Sequence, residues 1–175
     1  MKVEIVPYGG WELCLRLANE SIEVVTTAQV GPRVIRLGFL GGPNEFANYP
    51  EQSGQTGGDQ WRSYGGHRLW HAPEVRGRTN SPDNHPASWW QDGDWLRVQA
   101  PQEAATGIRK DMSICLDPNR DHVRVIHGLT NLGPWAVRLA PWAISVMAQG
   151  GRAIVPQEPF RSHADVLLPV RSLAL

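Results

Sequence analysis

The chain has 175 residues, 41% of them hydrophobic, and sets 17 basic side chains against 17 acidic ones. That length suffices for one domain burying roughly 70% of the surface it exposes when unfolded, and zero formal charge provides no field to attract a nucleic-acid backbone or an anionic bilayer. Glu4 interrupts the opening Met1 to Val6 where a secretory leader needs an apolar run, and no stretch approaches the roughly 20 apolar residues of a membrane span. A cytoplasmic protein without nucleic-acid or membrane partners is therefore expected.

In chain order the pattern is β almost throughout. Leu13, Leu15 and Leu17 alternate with Cys14 and Arg16 over residues 11 to 18, and β-branched residues fill 22 to 27, with Asn19-Glu20-Ser21 turning the chain between them. Residues 34 to 39 predict a third strand, entered through Gly31-Pro32 and stopped by Gly41-Gly42-Pro43. Gln91 to Asp94 is a tight-turn signal between aromatic flanks, leading into a strand over 95 to 100. Residues 108 to 116 place Ile108, Met112, Ile114 and Leu116 on one face and Arg109, Asp111 and Ser113 on the other. Turns at Asp117 to Arg120 and Asn131 to Pro134 bracket a strand over 123 to 130, and 135 to 148 reads as a long apolar strand or a bent pair. No segment keeps helical spacing beyond two turns, so the expected fold is all-β, an antiparallel β-sandwich in one domain.

Residues 50 to 66 and 72 to 88 break this rhythm as two long loops rich in Gly, Pro, Ser and Asn, of the kind that serve as lids or binding loops. Between them, Gly65 to Glu74 gathers two imidazoles, a guanidinium, a carboxylate and an indole, more polar groups than a core segment has reason to hold. Of the eight tryptophans, Trp11, Trp135 and Trp142 fall in strand patterns and read as core, whereas Trp61, Trp70, Trp89, Trp90 and Trp95 cluster near the loops. A flat indole stacks on the C–H face of a sugar while Arg, His and Glu satisfy its hydroxyls. Arg62, His67, Arg68, Trp70, His71, Glu74 and Trp89 are accordingly the candidate binding set, with a small-molecule carbohydrate or another polyol as ligand.

His67 and His71, four apart, share a face on a strand or a helix, and Glu74 could supply a third metal ligand. Pro73 interrupts any helix through Glu74, and a hydrogen-bonded network that fixes the loop is the simpler reading, so neither metal nor other cofactor is expected. Cys14 and Cys115 read as buried thiols, His85, His122 and His163 as exposed, and Glu158 as a turn cap or ligand contact. There is no GxSxG elbow and no phosphate-binding glycine loop.

The first strands, with Leu15 to Asn19, Ile22 to Val25, Gly31 to Leu37 and Gly41 to Phe46, resemble those of the galactose mutarotase-like proteins, the aldose 1-epimerase superfamily. Gly65 to Glu74, Gly128 to Trp135 and Ala140 to Ala143 are similar to its uncharacterised DUF4380 branch, and the resemblance runs over essentially the whole chain. It implies a β-supersandwich with a sugar site in the concave cleft. It also implies chemistry in which a carboxylate base and a histidine acid move two protons to open and close the sugar ring. By resemblance His67 matches a family sugar-binding histidine, with His71 the alternative, and these two are the candidate catalytic residues. The family's acid histidine normally follows a Thr-Asn motif, but Thr130-Asn131 leads to Ala140-Pro141-Trp142 without one, and the family's glutamate base has no counterpart.

Against the resemblance the chain, which stops at the apolar Val170 to Leu175, is expected to be an amino-terminal, incomplete portion of the supersandwich that either self-associates through uncovered sheet edges as a homo-oligomer or uses a shortened sheet that closes differently. Two functions follow: a carbohydrate-binding protein without complete epimerase machinery, or an epimerase-like or other sugar-modifying enzyme completed by a carboxyl-terminal half.

Overall fold

A computed structural model describes residues 2–154; Glu158, His163 and the segment from Val170 to Leu175 lie outside the described residues. Ten strands form: β1 (Glu4–Tyr8), β2 (Trp11–Ala18), β3 (Ile22–Thr27), β4 (Arg33–Phe39), β5 (Gly66–Ala72), β6 (Ser88–Asp92), β7 (Trp95–Gln99), β8 (Ile108–Leu116), β9 (Val123–Asn131) and β10 (Ala140–Val146). They make two antiparallel sheets, ordered β1-β2-β3-β4-β5-β10 and β6-β7-β8-β9. The all-β sandwich expected from the alternating pattern is the fold. No helix among the described residues is long and apolar enough to cross a membrane.

Alternation explains what fills the space between the sheets. Leu15, Leu17, Ile22, Val24 and Val34 from the larger sheet meet Leu96, Val98, Met112, Ile114 and Leu116 from the smaller one. Each such side chain, fully removed from water, contributes about 1.5–3 kcal/mol before chain entropy is subtracted. Two turns are also tied across the sandwich: Asn19 caps its own hairpin by accepting from the Ser21 and Ile22 amides, and its Nδ2 donates to the Asp117 and Arg120 carbonyls.

The outer face of the larger sheet is divided. Toward β1, Glu23 accepts from Arg16 and Arg36 at 2.6 Å each, while Arg16 also reaches Glu4. Farther along, the loop between β4 and β5 covers a second apolar cluster of Trp11, Cys14, Val25, Val30, Ile35 and Tyr64. The long loops are thus packed structure. Asn84, fully buried, donates to the Gly58 and Gln60 carbonyls and accepts from the Tyr64 hydroxyl, joining one loop to the other.

Two tryptophans expected in the core are elsewhere. The strand anticipated over 135 to 148 forms only at β10, leaving Trp135 79% exposed in the connection before it. Trp142 is half-buried and meets Trp70 edge to face on the outer side of the sheet. Both lie near strand ends, where an apolar ring carries no information about which face is covered.

Candidate functional site

The segment Gly66–Ala72, flanked by long loops in sequence, is a strand. Gly65 and Gly66 make this entry feasible: both have positive φ, and a Cβ on either would overlap the Ala47 or Val34 carbonyl. β10 pairs with β5 along its whole length, from Ala140↔Ala72 to Val146↔Gly66, whereas β4 pairs only at Arg33↔Arg68 and Val34↔His67.

A strand sends successive side chains to opposite faces. Consequently the candidate residues are divided between two compartments. His67, Leu69 and His71 point between the sheets, and Arg68 and Trp70 point outward beneath the loop that carries Trp61 and Arg62. Arg62 secures that loop by donating to the Gly57 carbonyl at 2.8 Å. Trp89 packs against the inter-sheet core, and Glu74 is exposed beyond the end of β5. A single sugar cannot touch all seven.

On the outer face, the Arg68 guanidinium lies 4.2 Å from the Trp70 ring centroid and 5.2 Å from that of Trp61. Such contacts contribute about 0.5–2 kcal/mol each, more when desolvated. The Trp61 and Trp70 rings are tilted at 6.1 Å, and Trp142 extends the aromatic surface beyond Trp70. Arg68 opens on a notch of about 100 Å³ whose walls include Trp61, Ser63, Gly65, Gly66 and Trp70. Burial, reinforced by the Arg33 guanidinium, pushes its pKa down to about 9.

Between the sheets, the Nε2 atoms of His67 and His127 are 2.8 Å apart, and His67 Nδ1 is 2.7 Å from the Ser145 hydroxyl. The arrangement without an orphaned donor has His127 Nε2–H donating to His67 Nε2 and His67 Nδ1–H donating to Ser145 Oγ; this leaves His127 Nδ1 as an unpaired acceptor. Phe46 stacks on His67 at 6.4 Å, and Val24, Val34, Val123 and Val125, with Leu37 and Ala143, line the rest of a cleft of about 370 Å³. Burial, with the His127 ring beside it, pushes His67 down to about 4, and burial lowers His127 as well. Both shifts favour the neutral imidazole, and the Nε2–Nε2 contact links the two rings. His127 precedes the Thr130-Asn131 motif, and the sequence signal for it as an inward-facing imidazole is its alternation with Val123 and Val125.

His71, on the same face, occupies a different environment. It is 1% exposed, neither ring nitrogen has a hydrogen-bond partner, and Nε2 lies 3.8 Å from Glu103 Oε2. Glu103 is held at 2.5 Å by the Lys110 ammonium. Burial lowers the His71 pKa, with Glu103 opposing and Lys110 and Arg78 adding to the shift. Lys110 could have been found in the sequence, since it shares the apolar face of β8 with Ile108 and Met112. A buried lysine there requires a counter-charge. Glu103 and Lys110 border a larger cavity of about 620 Å³, but its half-buried carboxylates, Asp83 and Glu103, are already paired with Arg33 and Lys110.

Among the described residues, no three His, Cys, Asp or Glu side chains are placed to hold a metal ion. No family model, curated protein or solved structure matches the chain.

Proposed function

We propose that this chain is a carbohydrate-binding protein of the mutarotase-like kind that its sequence resembles, with the sugar held on the outer face of β5. The observation that carries this reading is the clamp of Trp61 and Trp70 around Arg68, with Trp61 41% exposed at its rim. An exposed indole offers a flat apolar surface to a pyranose face, and a guanidinium beside it offers fixed donors to the oxygens. Ligand-detected NMR against a panel of monosaccharides and uronic acids tests it. Saturation transfer to the wild-type protein, lost in Trp61→Ala and Trp70→Ala, is expected; no transfer from any sugar to the folded protein overturns the reading.

The His67–His127 pair favours a second reading, in which the chain contributes proton transfer to an epimerase-like or other sugar-modifying enzyme. Two neutral imidazoles in contact can accept a proton at one ring and release one from the other. The family resemblance supplies no carboxylate base for that chemistry in this chain. Anomer exchange followed by NMR, measured with His67→Gln and His127→Gln as controls, tests the assignment. Exchange by the wild-type protein that both variants abolish is expected under this reading, and exchange that survives both removes it.

A further inference from the structure

Arg33 and Arg68 are cross-strand neighbours on the outer face of β4 and β5, and both are at least nine-tenths buried. Arg33 is fully partnered in charge: Nη2 donates to both Asp83 oxygens, at 3.0 and 2.8 Å, while Nη1 holds the Ser63 and Gly65 carbonyls. Arg68 has no such match. Its one hydrogen bond among the described residues is to the Arg62 carbonyl, at 3.4 Å. Two guanidinium groups therefore share one carboxylate, and a positive charge remains in a site largely withdrawn from water.

Burial of a charge without a counter-charge is costly, and aromatic faces compensate only part of that cost. The place for a counter-charge exists: Arg68 faces the notch of about 100 Å³, which Arg33, Ser63, Gly65 and Gly66 also line. Ordinary small-molecule pockets measure roughly 300–1,000 Å³. The notch consequently takes a charged head group and excludes a sugar ring, which must lie outside it on Trp61.

Resting on the carbohydrate reading above, we infer that the ligand is an acidic sugar of the uronate type, its carboxylate in the notch on Arg68 and its ring on Trp61. A planar carboxylate suits the fork of guanidinium donors, and its charge supplies Arg68 with the direct ion pair that Asp83 makes with Arg33.

Affinities for glucuronate and galacturonate, their parent hexoses and the corresponding 6-phosphates, measured by NMR titration of the full chain, test this inference. Uronates are expected to bind at least about tenfold more tightly than the parent hexoses and no more weakly than the phosphates. In Arg68→Gln the uronate advantage is expected to vanish. Because Arg68 is buried, folding of that variant is checked by circular dichroism, and Trp61→Ala, altered at the rim, is expected to weaken uronates and hexoses alike. Hexoses binding as well as uronates overturn the carboxylate assignment and leave the carbohydrate reading standing, and tighter binding of the phosphates overturns it in favour of a phosphorylated sugar. If no sugar binds, charged or neutral, the carbohydrate reading falls and this inference with it.

Discussion

His67 and His127 join the two sheets through their ring nitrogens, Nε2 to Nε2 at 2.8 Å, in a cleft otherwise walled mainly by valine and phenylalanine. Both imidazoles are held below the ordinary value of 6.5, His67 to about 4, so the unfolded chain binds protons more readily than the folded one over that interval. Stability is therefore retained above 6.5 and lost as pH falls toward 4. The loss assigned to His67 is on the order of 2 kcal/mol after allowance for its partial exposure. Urea midpoints measured across this range should decline with acidification, and His67→Gln should flatten the decline. An unchanged slope in that variant would show that the pair does not govern it.

The Lys110–Glu103 pair makes the opposite kind of demand, since a buried ammonium is held by a carboxylate itself largely withdrawn from water. Lys110→Met leaves Glu103 without its ammonium and should destabilise the fold by about 3–5 kcal/mol. Adding Glu103→Gln should recover most of that loss, because no net buried charge then remains. His71 provides an independent readout: the Lys110 ammonium lowers its pKa, so its NMR titration should move up in Lys110→Met.

Asn84 uses both ends of its amide to hold the two long loops together. Asn84→Ala removes the partner of two carbonyls and the acceptor of the Tyr64 hydroxyl, which keeps only its contact from Arg62, an expected cost of about 1–3 kcal/mol in chemical denaturation. Limited proteolysis should reveal new cleavage between Gly57 and Gln60. Protection equal to wild type would show that the apolar cluster under Tyr64 holds the loop by itself.

Cys14 is buried beneath Trp11, and burial raises its thiol to about 11. Thiolate, the reactive form, is therefore scarce at neutral pH. Iodoacetamide should leave Cys14 unmodified in the native protein and alkylate it in denaturant, as read by peptide mass spectrometry. Native modification comparable with that in denaturant would count against its burial.

Strands whose pattern is local were legible: the boundaries expected for residues 22 to 27 and 108 to 116 coincide with β3 and β8, and the Asp92-Gly93-Asp94 turn closes β6 on β7. β5 was not, for two physical reasons. Its inward face holds histidines and its outward face an arginine and a tryptophan, so apolar alternation is missing; and its full-length partner, β10, arrives only after the entire smaller sheet. The same concealment applies to the site. Gly65 to Glu74 was identifiable as unusual from its chemistry, but which residues act together depends on pleat and cross-sheet packing. His127 and Trp142 acquire their partners from β5, far away in sequence.

The pleat of β5 has one further consequence, for variation along the strand. Position 67 must meet an imidazole of the facing sheet and a hydroxyl of the neighbouring strand; position 68 must fit between two indoles beside an open notch. Neighbouring positions on one backbone thus answer to unrelated requirements. A saturation mutagenesis scan of this strand would contain two interleaved records, one at odd numbers and the other at even, and averaging them would erase both.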